Sequence, residues 1–297
     1  MALRLSRMAL LGFALALVLA ACQAPGGATP APQKGRAPLA PEGTLLRKIQ
    51  DRGKLICGTK YDIPTFGYLN PKTNQVEGFD VEICRAVAEY IFGDPNAVEI
   101  KEAISKNRIP FLKEGVVDIV ASTMTINEER LKEIDFSVVY YVAGQSLLVP
   151  KNSPISGLED LKGKRVGTVK GSTSEKNIRA ISDQKGLNIE VVLFDTYSEA
   201  VAAMDAGRVD AVTTDDIILY GFVRQEPEKW KVVGGRFTVE PYGVGVKKGE
   251  EELLEVVNTV IRELKSSGRW KEIYKKWIPS DTVPEPPPDD WRAVSQP

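Results

Sequence analysis

Histidine is absent from the 297 residues. That removes the commonest general base and the commonest transition-metal ligand together, so enzymatic readings start at a disadvantage. Charge of one sign is lacking too. The 39 Lys and Arg stand against 40 Asp and Glu, a formal net charge of −1, and leave no global basic field for nucleic acid. No cofactor or metal is expected. The apolar run at 8–19 is too short for a comfortable membrane span. What is present is ordinary for a globular protein: 43% hydrophobic and 27% charged residues, in a chain long enough for one large domain or two moderate lobes.

The first 22 residues read as a leader. Arg4 and Arg7 supply a short positive region, the apolar run follows, and Leu19-Ala20-Ala21-Cys22 resembles a lipobox, in which Cys22 is lipidated and begins the mature chain. An ordinary secretory signal with a coincidental cysteine is the alternative. Without Arg4 and Arg7 the balance is 37 basic against 40 acidic residues, mildly acidic. Residues 23–42, rich in Ala, Pro and Gly, read as a flexible tether, and 281–297, with Pro284, Pro286, Pro287 and Pro288, as a disordered tail. An oxidising compartment permits a Cys57–Cys84 disulfide, but both serve equally well as reduced core residues, and spacing does not decide between them.

Between 43 and 280, short apolar runs alternate with amphipathic segments. Strands are expected at 54–59, 116–122, 165–169, 190–194, 209–213 and 242–246. Helices are expected at 43–51, 78–91, 108–113, 173–185, 198–206, 250–265 and 270–277. Phe79, Ile83, Val87 and Ile91 recur at helical spacing, the stripe a helix needs to lie on a sheet. The alternation implies an α/β fold with mostly parallel sheets.

Residues 117–141 read VDIVASTMTINEERLKEIDFSVVYY, which closely resembles the signature of the family 3 extracellular solute-binding proteins of polar amino-acid ABC importers. Further landmarks follow the family's order: GFDVEICRAVAEYI at 78–91, GLEDLKGKRVGTVKGSTSE at 157–175, DAVTTDD at 210–216, YGVGV at 242–246 and GRWKEIYKKW at 268–277. The resemblance implies the two-lobed periplasmic-binding-protein fold with two hinge strands. Lobe one would hold 45–141 and 243–280, and lobe two 146–237. It also implies permease and ATPase partners, a monomer held to the cell-envelope membrane by its lipid anchor alone, and closure on a ligand like a clamshell.

A free amino acid brings a carboxylate, an ammonium and a side chain into a site that loses its water, so each charge needs an answering group. By the family's pattern Arg130 meets the α-carboxylate, for which a guanidinium offers two parallel donors. Thr123 and Thr125 supply further donors. Ser172 and Thr173, ahead of a helix, close from lobe two, where capping and anion binding would draw on the same groups. Asp215 takes the ammonium, and Asp216 caps the next helix. The ligand side chain would face Lys60, Ser105 and Arg108. The two cations resemble those of acidic-amino-acid binders, and an amide would leave them unpaired, so glutamate or aspartate is the expected ligand. Glutamine or another polar amino acid is the alternative. A ligand-sensing lipoprotein, a prephenate-type dehydratase and a structural lipoprotein on the same fold are the rival roles; the binding set and the missing histidine favour binding without turnover.

Overall fold

The computed structural model describes residues 35–278 and 280–294. The leader and Cys22 lie outside them. Two five-stranded sheets carry the fold. In the first, the order is Val98–Glu102, Leu55–Thr59, Ile119–Val120, Gly245–Lys247 and Ile134–Phe136. In the second it is Glu190–Phe194, Arg165–Val169, Ala211–Asp215, Gln145–Pro150 and Trp230–Val233.

The sheets are mixed, not mostly parallel. In each, the first three strands of that order run parallel, joined through helices, and the other two join antiparallel. The reason is chain routing. Helical crossovers make parallel neighbours, whereas Gly245–Lys247 returns to the first sheet from the opposite direction after the chain has visited the second. Two short strands, Tyr141–Ala143 and Glu240–Tyr242, pair antiparallel and carry the chain between the lobes.

The helix Phe79–Phe92 lies on the first sheet through its expected stripe, with Phe79, Ile83, Val87 and Ile91 all buried. Gly78 starts it at φ 139, and a Cβ there would stand 2.2 Å from the Phe66 carbonyl oxygen. That close approach lets Phe79 and Asp80 donate their backbone N–H groups to Thr65 and Phe66. Cys57 in the first strand and Cys84 in this helix form a disulfide, which ties the helix to the sheet. Phe66, Phe79, Tyr140, Tyr141, Tyr242 and Trp270 pack ring to ring, with Tyr141 and Tyr242 contributed by the crossing strands themselves.

The expected elements are found within a few residues, except that the strand expected at 242–246 divides into Glu240–Tyr242 and Gly245–Lys247. Elements not expected include the strands Val98–Glu102, Ile134–Phe136, Tyr141–Ala143, Gln145–Pro150 and Trp230–Val233 and the helices Glu128–Leu131 and Asp216–Gln225. Asp216–Gln225 forms a helix directly after Ala211–Asp215. The flanking segments differ from expectation over their described parts. Arg36 and Ala37 donate backbone N–H groups to the Tyr90 carbonyl, so the end of the tether lies against lobe one. The proline-rich tail is held rather than disordered. Asp289 pairs with Arg262 and Lys265, its carbonyl accepts from Val139, and Arg292 pairs with Glu128. Asp289 and Arg292, just after the prolines, give an extended segment side-chain anchors that composition alone did not show.

Candidate functional site

Lobe one brings four loops together where its parallel strands end. Lys60 follows Leu55–Thr59, and Ser122 to Thr125 follow Ile119–Val120. Arg108 opens the helix Arg108–Glu114, and Arg130 sits in the short helix Glu128–Leu131, whose N-cap Asn127 accepts from the Arg130 backbone N–H at 2.9 Å. Lobe two contributes the turn ahead of Thr173–Lys185 and the end of Ala211–Asp215. Glu240 comes from a crossing strand.

The lobes meet across these residues. Thr125 and Thr173 hydroxyls lie 3.4 Å apart, Arg130 Nη2 donates to the Gly171 carbonyl at 3.4 Å, and Asp62 Oδ2 accepts from Tyr197 and Ser198 N–H at 2.9 and 3.2 Å. At the rim Lys106 pairs with Asp195 at 2.6 Å, and Lys176 pairs with Glu129. A cavity of about 590 Å³ opens beside them, lined by Ser105, Lys106, Arg130, Gly171, Thr173 and Lys176.

Every side chain expected in the site is buried except Thr173, which is half-buried. Lys60 faces inward. Its Nζ donates to the Ser122 carbonyl at 2.9 Å and to the Thr123 hydroxyl at 2.8 Å. Arg108 donates from Nη1 to the Ser122 and Thr123 carbonyls at 2.8 and 3.1 Å, and from Nε to the Ser105 carbonyl at 3.3 Å. Arg130 Nη1 donates to the Thr125 carbonyl at 2.7 Å. Burial lowers the pKa of all three cations. The effect is large for Lys60; Arg108, with Arg130 beside it, is brought down to about 9, and nearby Glu240 and Asp215 oppose the shift at Arg130.

Asp215 accepts from the Tyr242 hydroxyl through one oxygen; the other is buried without a hydrogen-bond partner. Burial, and then the Glu240 carboxylate, push its carboxyl up to about 8. An orphaned acceptor of this kind is costly unless a donor or cation reaches it. One expectation needs correction. Asp216 does not cap the following helix; it pairs with Arg236 at 2.7 Å and accepts from Gly144 N–H at 3.3 Å, because the helix begins at Asp216 itself. The Ser172 hydroxyl caps its helix, accepting from Glu175 N–H at 3.1 Å and donating to the Val169 carbonyl at 2.6 Å.

Two buried acids escaped the sequence reading. Asp80 accepts from Thr123 N–H at 2.8 Å and from the Tyr140 hydroxyl at 2.6 Å, and burial raises its pKa to about 6. Glu240 accepts from Thr125 at 2.7 Å, from Asn177 at 2.9 Å and from Thr238 at 2.8 Å, thus touching both lobes. The available signal was an acid embedded in an apolar stretch, in Phe79-Asp80-Val81 and Val239-Glu240-Pro241.

The chain is 44% identical over 275 residues to the ABC transporter glutamine-binding protein GlnH of Bacillus subtilis (strain 168), covering 92% of this chain and 97% of that one. It is 33% identical to the L-glutamate/L-aspartate-binding protein of Pseudomonas aeruginosa, over 82% of this chain and 81% of that one. Among solved structures, an ancestral arginine-binding protein bound to glutamine superposes with a TM-score of 0.70 at 41% identity, over 76% of this chain and 98% of its own. The family model of the bacterial extracellular solute-binding proteins, family 3, matches residues 55–280, and the chain belongs to that family.

Proposed function

We propose that this solute-binding protein, which is not an enzyme, serves an amino-acid ABC importer and that its ligand is glutamine. The observation that carries the reading is the charge balance of the cleft. Three buried cations, Lys60, Arg108 and Arg130, at 3, 2 and 8% exposure, stand against three buried anions, Asp80, Asp215 and Glu240, at 0, 4 and 3%. A zwitterion with an uncharged side chain leaves that balance intact, whereas a second ligand carboxylate adds an unanswered charge. The 44% identity to a glutamine-binding relative points the same way. Arginine is disfavoured because its guanidinium would join Lys60 and Arg108.

In this reading Arg130, with Thr123 and Thr125, takes the ligand carboxylate, and the Gly171–Thr173 turn closes over it. Asp215, with its unpartnered oxygen, takes the ammonium. Lys60 and Arg108 offer donors to the side-chain amide oxygen. The lobes then shut about the strands Tyr141–Ala143 and Glu240–Tyr242, favoured by the ligand's higher affinity for the closed form. Permease and ATPase subunits are the partners, and a lipid on Cys22 holds the monomer in the cell envelope.

Glutamate or aspartate is the second reading, supported by the inward-facing Lys60 and Arg108 and by the 33% identical relative. Calorimetric titration with glutamine, glutamate, aspartate, asparagine and arginine tests both. Glutamine should bind most tightly, by at least tenfold; a preference for glutamate would overturn the first reading in favour of the second.

A further inference from the structure

Lys60 and Arg108 raise a problem of electrostatics. Both are buried, yet every hydrogen bond described for them ends on an uncharged oxygen: the Ser105, Ser122 and Thr123 carbonyls and the Ser122 and Thr123 hydroxyls. Among the described residues neither cation has a carboxylate within ion-pair distance. Two adjacent buried cations without a counter-charge would select an acidic ligand side chain.

Asp80 answers both at one remove, and the half-buried Asp62 adds its charge at Lys60. It is fully buried, and its Oδ2 accepts from Thr123 N–H while Oδ1 accepts from the Tyr140 hydroxyl. Thr123 is the link. It is held at φ 43, an uncommon conformation for a β-branched residue, with its N–H on Asp80, its hydroxyl on Lys60 and its carbonyl on Arg108. One residue thus places an anion behind the surface that two cations present. Attraction between these charges acts through a poorly screened interior.

We infer that Asp80 is a specificity-determining residue of the cleft: its buried carboxylate balances Lys60 and Arg108, so that they receive a neutral amide and do not require a carboxylate. The inference rests on the glutamine reading, and it names the residue that makes that choice. Asp80 touches no ligand; it acts on the ligand side chain through the potential it imposes on the two cations.

The test is the ratio of L-glutamine to L-glutamate affinity, measured by calorimetry at pH 7.5 in the wild type, Asp80→Asn, Lys60→Met and the double variant. Asparagine keeps an acceptor for Thr123 and a donor for the Tyr140 oxygen, so Asp80→Asn removes charge at nearly constant shape. The ratio should fall at least tenfold, with glutamate binding gaining. Lys60→Met tips the balance the other way and should raise the ratio; it reads the same balance even if Asp80→Asn does not fold. The double variant should return towards the wild-type ratio. A structural role alone would weaken both ligands equally, and an unchanged ratio in Asp80→Asn, or in Lys60→Met should Asp80→Asn not fold, overturns the inference. A wild type that prefers glutamate would sink the glutamine reading, while the change in ratio between variants would still judge Asp80.

Discussion

Asp215→Asn should make the ligand-free protein close. An open cleft would hydrate this carboxyl and return it towards its ordinary 3.8; in the closed arrangement burial and Glu240 push it up to about 8. At pH 7 an empty cleft can therefore shut only by taking up a proton or by burying an unanswered charge. The interval from 3.8 to 7 corresponds to ~4 kcal/mol, about a thousandfold against the closed form. The sign follows from linkage. The closed-state pKa is the raised one, so Asp215 does not oppose closure at pH below about 4 and progressively opposes it as pH climbs towards 8. A ligand ammonium removes the penalty, so the residue discourages closure without cargo. Asparagine carries no such cost. Small-angle scattering of the ligand-free proteins measures the difference. Asp215→Asn should be as compact as ligand-bound wild type and insensitive to pH between 5 and 8, whereas empty wild type should be expanded and contract as pH falls. At the same time glutamine affinity should drop by about a hundredfold or more, since the ammonium loses its counter-charge. Equal radii with equal pH dependence in the two proteins would refute the reasoning.

Arg130→Ala strands the ligand carboxylate and should weaken binding by ~3 kcal/mol or more in a calorimetric titration. Retained affinity would remove Arg130 from the site. Replacing both Cys57 and Cys84 by alanine, which opens a loop spanning 27 residues, should cost ~3 kcal/mol of stability and lower the melting temperature; reductant should do the same to the wild type. Cys22→Ser should move the protein from the membrane fraction to the soluble one. Recovery in the membrane fraction would argue against lipidation at that residue.

Much of this protein was legible along the chain. Hydrophobic period located the helices Phe79–Phe92 and Thr173–Lys185 and the strand Arg165–Val169, because burying one face imposes a repeat on consecutive residues. The order of motifs announced the family, and the family's pattern pointed to Arg130, Asp215, Lys60 and Arg108, all four of which are buried and act electrostatically on one another. The surroundings of Lys60 and Arg108 were another matter. Asp80 neighbours them only through the fold: the N–H of Thr123, 43 positions later, lies on its carboxylate. The mixed sheets, the disulfide and the anchored tail were hidden for the same reason. Local pattern is determined by which face of a segment must avoid water, and neighbouring residues carry that information. Counter-charges, strand neighbours and sulfur pairs depend on distances between segments far apart in sequence, and only the packed tertiary structure decided those.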